Sequence, residues 1–324
     1  MASDEVYTNV ATPFAPVYWG FVISLLFGGV TIVQAYIYFR EARDHILVKL
    51  MAAGMLLLDF VDSALVAYSV YYYLIPRFGS VSRLGMLPTE MAVECLIATL
   101  ITTVSQCFFV YQLVAAKRLG KGHWSVIGGI VAMTILALAG GIACVVTMAI
   151  FSNGVLQDRN RIFVISFGVS KAFGAAADIV ATIAMCLFLN SVRTGMIQTN
   201  SLLDALVRLT FSRGILVTVA QTLLLITFYA TPGTLTWVVF HINVPKLYVN
   251  TFFAMLNGRD RLKAKHLGTS VKLEDTESSR GKIGAFGSGE HSTLVGDVQH
   301  DGEKRTFTPQ TTIIMSTEVT TSVC

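Results

Sequence analysis

The chain has 324 residues, of which 54% are hydrophobic and only 14% charged, with a mean hydropathy of +0.64. A soluble domain carries about 25% charged residues, so this composition excludes an ordinary soluble globule and points to a membrane protein. The charge is also unevenly placed: residues 1–257 hold 15 Lys and Arg against 11 Asp and Glu, and residues 258–324 hold 9 of each.

A bilayer crossing needs roughly 20 apolar residues in a helix. Seven such runs follow in chain order, at about 17–39, 47–74, 89–115, 124–150, 162–189, 208–230 and 233–256. In hydrocarbon each backbone group must be bonded within its own segment, so these runs are expected to be helices. The segment before the first run, "MASDEVYTNVATPFAP", is acidic and lacks the basic start of a cleaved signal, so the first run is expected to stay as a helix. Cys95, Cys107, Cys144 and Cys186 fall inside apolar runs, which argues against disulfides between loops. Cys324 does not fit a prenylation box, and there is no Asn-x-Ser/Thr acceptor.

Orientation follows from Lys and Arg in the short loops. One side collects Arg40, Arg43, Lys49, Lys117, Arg118, Lys121, Arg193, Arg259, Arg261, Lys263 and Lys265. The other has Arg77, Arg83, Arg159 and Arg161. The bias of 11 to 4 predicts an external N-terminus and a cytoplasmic tail. Tyr18, Trp19, Tyr71, Tyr72 and Tyr73 at one set of ends, and Tyr111 and Trp124 at the other, fit interfacial aromatic belts. After residue 258 the chain turns rich in Ser, Gly and charge and is expected to be disordered. Within it Ser278 and Ser279 follow acidic residues and are candidate phosphosites. The run "RDRLKAKH" reads as a positive-inside flank that also suits anionic headgroups.

Ionisable side chains inside spans are rare and normally face the bundle interior. Here they are Asp59 and Asp62 in the second run, Glu94 in the third, Lys171 and Asp178 in the fifth and Lys246 in the seventh, joined by His241 and Asn243. Asp59 and Asp62 share a helix face. At 1.5 Å per residue, Asp59 and Lys246 both fall roughly 20 Å from the start of their helices, near mid-membrane. Second and seventh helices are neighbours in an ordinary seven-helix arrangement, so Lys246 is expected to pair with Asp59 or Asp62. Such a pair either fixes helix register or serves as a switch or ion site. Ser166, Ser170 and Gly174 form a small-xxx-small stripe suited to close packing. Arg208 and Arg213 are expected to snorkel from the start of the sixth run, and Gln106 and Gln221 to bond between helices.

No catalytic constellation is visible, and the chain is not expected to be an enzyme. A retinal protein would place an acid four residues before the lysine, where this chain has Ile242. A catalytic zinc needs about three protein ligands, and His241 is the only histidine within a run. No metal, other cofactor or nucleic-acid partner is expected. A G-protein-coupled receptor shares the topology, but "FFVYQLVAAKR" lacks the acidic-Arg-Tyr motif and "NVPKLY" only loosely matches Asn-Pro-x-x-Tyr.

The stretches "LLFGGVTIVQAYIYF", "LLDFVDSALVAYSVYYYLI", "QCFFVYQL", "GAAADIVATIAMCLFL", "SRGILVTVAQ" and "KLYVNTFFAMLNGR" resemble the fungal family of seven-span membrane proteins carrying domain of unknown function 6534. The resemblance runs from residue 17 to about 262. Its most specific piece is Lys246, Leu247 and Tyr248 with Asn250, Leu256, Asn257 and Arg259. Asp59, Asp178 and Lys246 match residue types of the family pattern, whereas Asp62 departs from it, a histidine being frequent there. The family has no established activity, so the resemblance implies fold and topology and no chemistry.

The expectation is therefore an all-α, seven-helix integral membrane bundle over residues 17–257, with an extracellular segment at 1–16 and a disordered cytoplasmic tail at 258–324. Its expected role is receptor-like or sensory, with a small transporter or channel using the midplane charges as the alternative. A structural, lipid-organising protein is a third reading. Expected partners are the lipid bilayer, cytoplasmic proteins that meet the tail, and a ligand of unstated chemistry. The plasma membrane is a candidate location.

Overall fold

The computed structural model describes residues 11–41, 44–75, 89–116, 124–151, 160–191, 197–232 and 234–258. The chain divides into units 1–272 and 273–324, and every described residue lies in the first. Ser278, Ser279 and the whole expected tail beyond 258 lie outside the described residues.

Seven helices make up the described residues: α1 (Ala11–Glu41), α2 (Ile46–Leu74), α3 (Thr89–Ala116), α4 (Trp124–Ile150), α5 (Arg161–Ser191), α6 (Ile197–Ala230) and α7 (236–258). The first six are long and apolar enough to cross a membrane. α7 is not among them, because His241, Asn243, Lys246, Asn250 and Asn257 lower its hydropathy. Most boundaries fall within a few residues of the apolar runs. α6 is the main departure, since it begins at Ile197 and so adds about three turns before the apolar run.

Each of α1 to α6 packs against the next in sequence, and α3 also meets α5. The outside is apolar. Trp19, Leu26, Tyr36, Ile135 and Leu187 are all more than half exposed. That inversion of the soluble pattern is what a lipid-facing surface requires. Tyr18, Trp19, Tyr71, Tyr111 and Trp124 are exposed near helix ends, as interfacial aromatics are. The interior belongs to α7, whose residues 241–250 are buried without exception.

Close helix contacts rest on small residues. A Cβ added at Gly140 of α4 would lie 2.8 Å from the Ser170 backbone nitrogen and 3.1 Å from the Ser166 carbonyl. The Ser166–Ser170 part of the stripe thus packs on α4, while Gly174 faces Gln106 and Gln221. A Cβ at Gly20 of α1 would lie 2.9 Å from Val239 Cα, so α1 and α7 touch backbone to backbone. Gly140→Ala is therefore expected to destabilise the purified protein by about 1–3 kcal/mol, the range for overpacking. Gly128→Ala on the same helix, with no atom within 4 Å, should be neutral or slightly stabilising. Thermal unfolding of both variants checks this, and equal behaviour would contradict the close α4–α5 approach.

Candidate functional site

α7 presents three kinds of polar contact to the helices around it. The first is ionic. Lys246 is fully buried, and its ammonium lies 2.9 Å from Asp59 Oδ1, 2.9 Å from the Asp59 carbonyl oxygen and 2.6 Å from Ser63 Oγ, donating to each. An ammonium has three N–H groups, so these bonds use all of them. Asp62 Oδ2 also lies 2.9 Å from the nitrogen. At that distance Asp62 shares the ammonium with Asp59 as an ion pair. The Ser63 hydroxyl in turn donates to the Asp59 carbonyl at 2.8 Å. The sequence left open which aspartate meets Lys246; the structure places both there, with the hydrogen bonds going to Asp59.

The second contact is a ladder. Asn243 donates to the Gly20 carbonyl at 2.9 Å, Asn250 to the Phe27 carbonyl at 3.1 Å and Asn257 to the Gln34 carbonyl at 2.9 Å. Donors and acceptors both advance by seven residues, so α1 and α7 run parallel. Seven residues are nearly two turns of helix, and such a repeat keeps two helices in contact with a shallow left-handed crossing. Asn243 and Asn250 also donate to the carbonyl one turn back on α7. The sequence reading singled out Asn243 alone as a candidate and missed the ladder. Its period was visible, but its partners are backbone carbonyls that leave no mark in a sequence.

The third contact faces α3, α5 and α6. His241 Nε2 stands 3.3 Å from Glu94 Oε2. The His241 ring packs with Phe167 of α5 and with Trp237, at centroid distances of 5.8 and 5.7 Å. Two turns along α7, Tyr248 donates to Asp178 of α5, and Gln221 of α6 donates to Tyr248. Gln106 of α3 donates to the Gly174 carbonyl at 3.1 Å. Lys171 stays apart from Asp178, although both lie on one face of α5. Its ammonium sits 5.7 Å over the Phe167 ring, and it makes no ion pair among the described residues.

Arg213 does not snorkel. It is buried, donates to Ser105 Oγ at 2.7 Å and to Met255 Sδ at 3.8 Å, and lies 4.6 Å over the Phe109 ring. It stands only three residues beyond Thr210, where the apolar span of α6 begins, yet its side chain turns inward to Ser105 of α3. Arg208, by contrast, is exposed. Arg213 and Asp178 line a cavity of about 10 Å³ with Thr182, Gly214 and Val217, the room that one water needs. No His, Cys, Asp and Glu cluster suited to a metal occurs among the described residues.

Residues 174–261 match a family of unknown function, DUF6534. The match is narrower than the resemblance read from the sequence. It takes in Asp178, Arg213, Gln221, His241, Lys246, Tyr248 and the three asparagines, and leaves out the α2 and α3 carboxylates that face them. No curated protein and no solved structure matches the chain.

The ladder yields a quantitative expectation. Hydrogen bonds between helices in membranes are worth about 0.6 kcal/mol on average and up to about 1.7. Asn250→Leu should lower stability by that range. Asn243→Leu should add a similar loss, because rungs two turns apart, about 10 Å, share no partner. Unfolding curves of the two single variants and the double variant test this. Loss-free leucine variants would show that the rungs do not hold α1 to α7.

Proposed function

We propose that this multi-pass helical membrane protein is receptor-like: a seven-span sensor in which α7 couples the other helices. The observation that carries this reading is that α7, buried throughout its middle, makes polar side-chain contacts with α1, α2, α3, α5 and α6. A ligand that favours one packing of α7 acts on five helices at once, which is the kind of bistable element a switch needs. In this reading α7 is the seventh span, the N-terminus is external, and the segment beyond 258 is the cytoplasmic output carrying Ser278 and Ser279. No catalytic step is assigned to any residue.

A second reading, a small transporter or channel, is favoured by one specific feature. Two buried carboxylates share a single ammonium at mid-membrane, an arrangement also suited to an ion site.

The two readings separate experimentally. A compound screen on the purified protein, read by thermal stability, finds ligands because anything that binds only the folded state stabilises it. The sensory reading expects such a hit to change phosphorylation of Ser278 or Ser279 in cells and to drive no solute flux in liposomes. Flux without any change in the tail would overturn it in favour of the transporter.

A further inference from the structure

We infer that the groove between α1 and α2 is a binding site for an anionic phospholipid, with Arg40 as its headgroup residue. The groove has a volume of about 420 Å³ and is apolar along its length, its walls including Ile32, Tyr36, Leu56 and Phe60 over a floor at Ala35. Among the described residues Arg40 is the only charged one lining it, and it stands in the last turn of α1.

Three features fix the occupant. The first is length. Ile32 to Arg40 rises about 12 Å along α1, and the α2 wall from Leu56 to Phe60 lies about 15–21 Å from the start of that helix. The groove therefore runs from the helix ends to mid-membrane, the depth of one leaflet, half of a hydrocarbon core about 30 Å thick. The second is surface character. Ile32, Tyr36 and Phe60 are about half exposed or more on the outside of the bundle, so in a bilayer the groove opens to lipid and an acyl chain fills it. The third is charge. Arg40 stands in the last turn of α1, at the helix-end mouth of the groove, where a basic side chain attracts an anionic headgroup and forks onto phosphate oxygens. Glu41 and Asp44 stand at the same end of the bundle but do not line the groove, and Asp44 accepts from the Tyr38 hydroxyl at 3.3 Å. With the N-terminus external, this leaflet is the cytoplasmic one.

The site has a route to the buried network. Phe60 of the groove wall follows Asp59 directly, so an acyl chain against Phe60 presses on the turn of α2 that holds Lys246. The inference does not depend on whether the protein senses or transports.

The test is native mass spectrometry of the full purified chain, offered an equimolar mixture of phosphatidylserine and phosphatidylcholine with identical acyl chains. The wild type should retain phosphatidylserine about fivefold over phosphatidylcholine, the factor expected from one basic residue near an anionic headgroup. Arg40→Gln should abolish the preference while lipid is still retained. Ile32→Trp, a change at an exposed wall position, should reduce retention of both lipids by filling the groove. Arg161→Gln, at the start of α5, should behave as the wild type. No preference in the wild type, an undiminished preference in Arg40→Gln, or unchanged retention in Ile32→Trp would overturn the proposal. So would a dimer that forms in place of lipid retention and is lost in Ile32→Trp, since a second copy would then occupy the groove.

Discussion

A single ammonium decides how this bundle is built. Lys246 is removed from solvent in the middle of α7, and its three N–H groups are used by Asp59 and Ser63 of α2. Placing an unpaired charge at mid-membrane costs about 2.5–3.5 kcal/mol on insertion scales. α2 must therefore lie beside α7 at one depth and one rotation, and Asp59 and Asp62, three residues apart, present two carboxylates on that face. The bond to the Asp59 carbonyl makes the constraint tighter, because it ties Lys246 to backbone as well as to a flexible side chain. A pair of this kind contributes little net stability compared with a well-packed apolar contact, but losing one partner is expensive. Its effect is on where α7 can sit.

Once α7 is placed against α2, its other polar positions dictate the rest. It is the helix least suited to lipid contact, and the one most completely enclosed. The Asn243, Asn250 and Asn257 face meets α1 at the close approach that Gly20 permits. The opposite face carries His241 and Tyr248, seven residues apart, and they meet acids on α3 and α5. Among the described residues α7 thus meets buried polar groups of its neighbours, Asp59, Asp62, Glu94, Asp178, Arg213 and Gln221, while the outward faces of the other helices carry large apolar side chains. Apolar side chains outside and polar contacts inside suit a bundle surrounded by hydrocarbon.

Much of this was legible in the sequence, for reasons that also explain what was not. Apolar runs set the helices because a bilayer demands a fixed length, and the matching heights of Asp59, Asp62 and Lys246 along their helices, which the contact between them requires, followed from rise per residue. Arg213 was misplaced because depth alone does not fix a side chain's direction: it lies three residues inside the apolar span, and the Ser105 hydroxyl and Phe109 ring that draw it inward are on another helix. The bonds among Tyr248, Asp178 and Gln221 needed three helices to be docked at known rotations, which no single segment encodes. Lys171 shows the limit of pattern reading. It shares a face with Asp178, but seven residues separate them, and its side chain turns to Phe167 one turn away.

The account stands on the coupling between Lys246 and α2, and a double-mutant cycle of Lys246→Met with Asp59→Asn measures it directly. Lys246→Met alone should lower the stability of the purified bundle by about 3–5 kcal/mol, since it strands buried carboxylates. Adding Asp59→Asn should recover part of that loss, and more than Asp62→Asn does, because Asp59 takes the hydrogen bonds. Strictly additive losses in the Asp59 cycle would contradict the claim that this contact holds α7 at the centre of the fold.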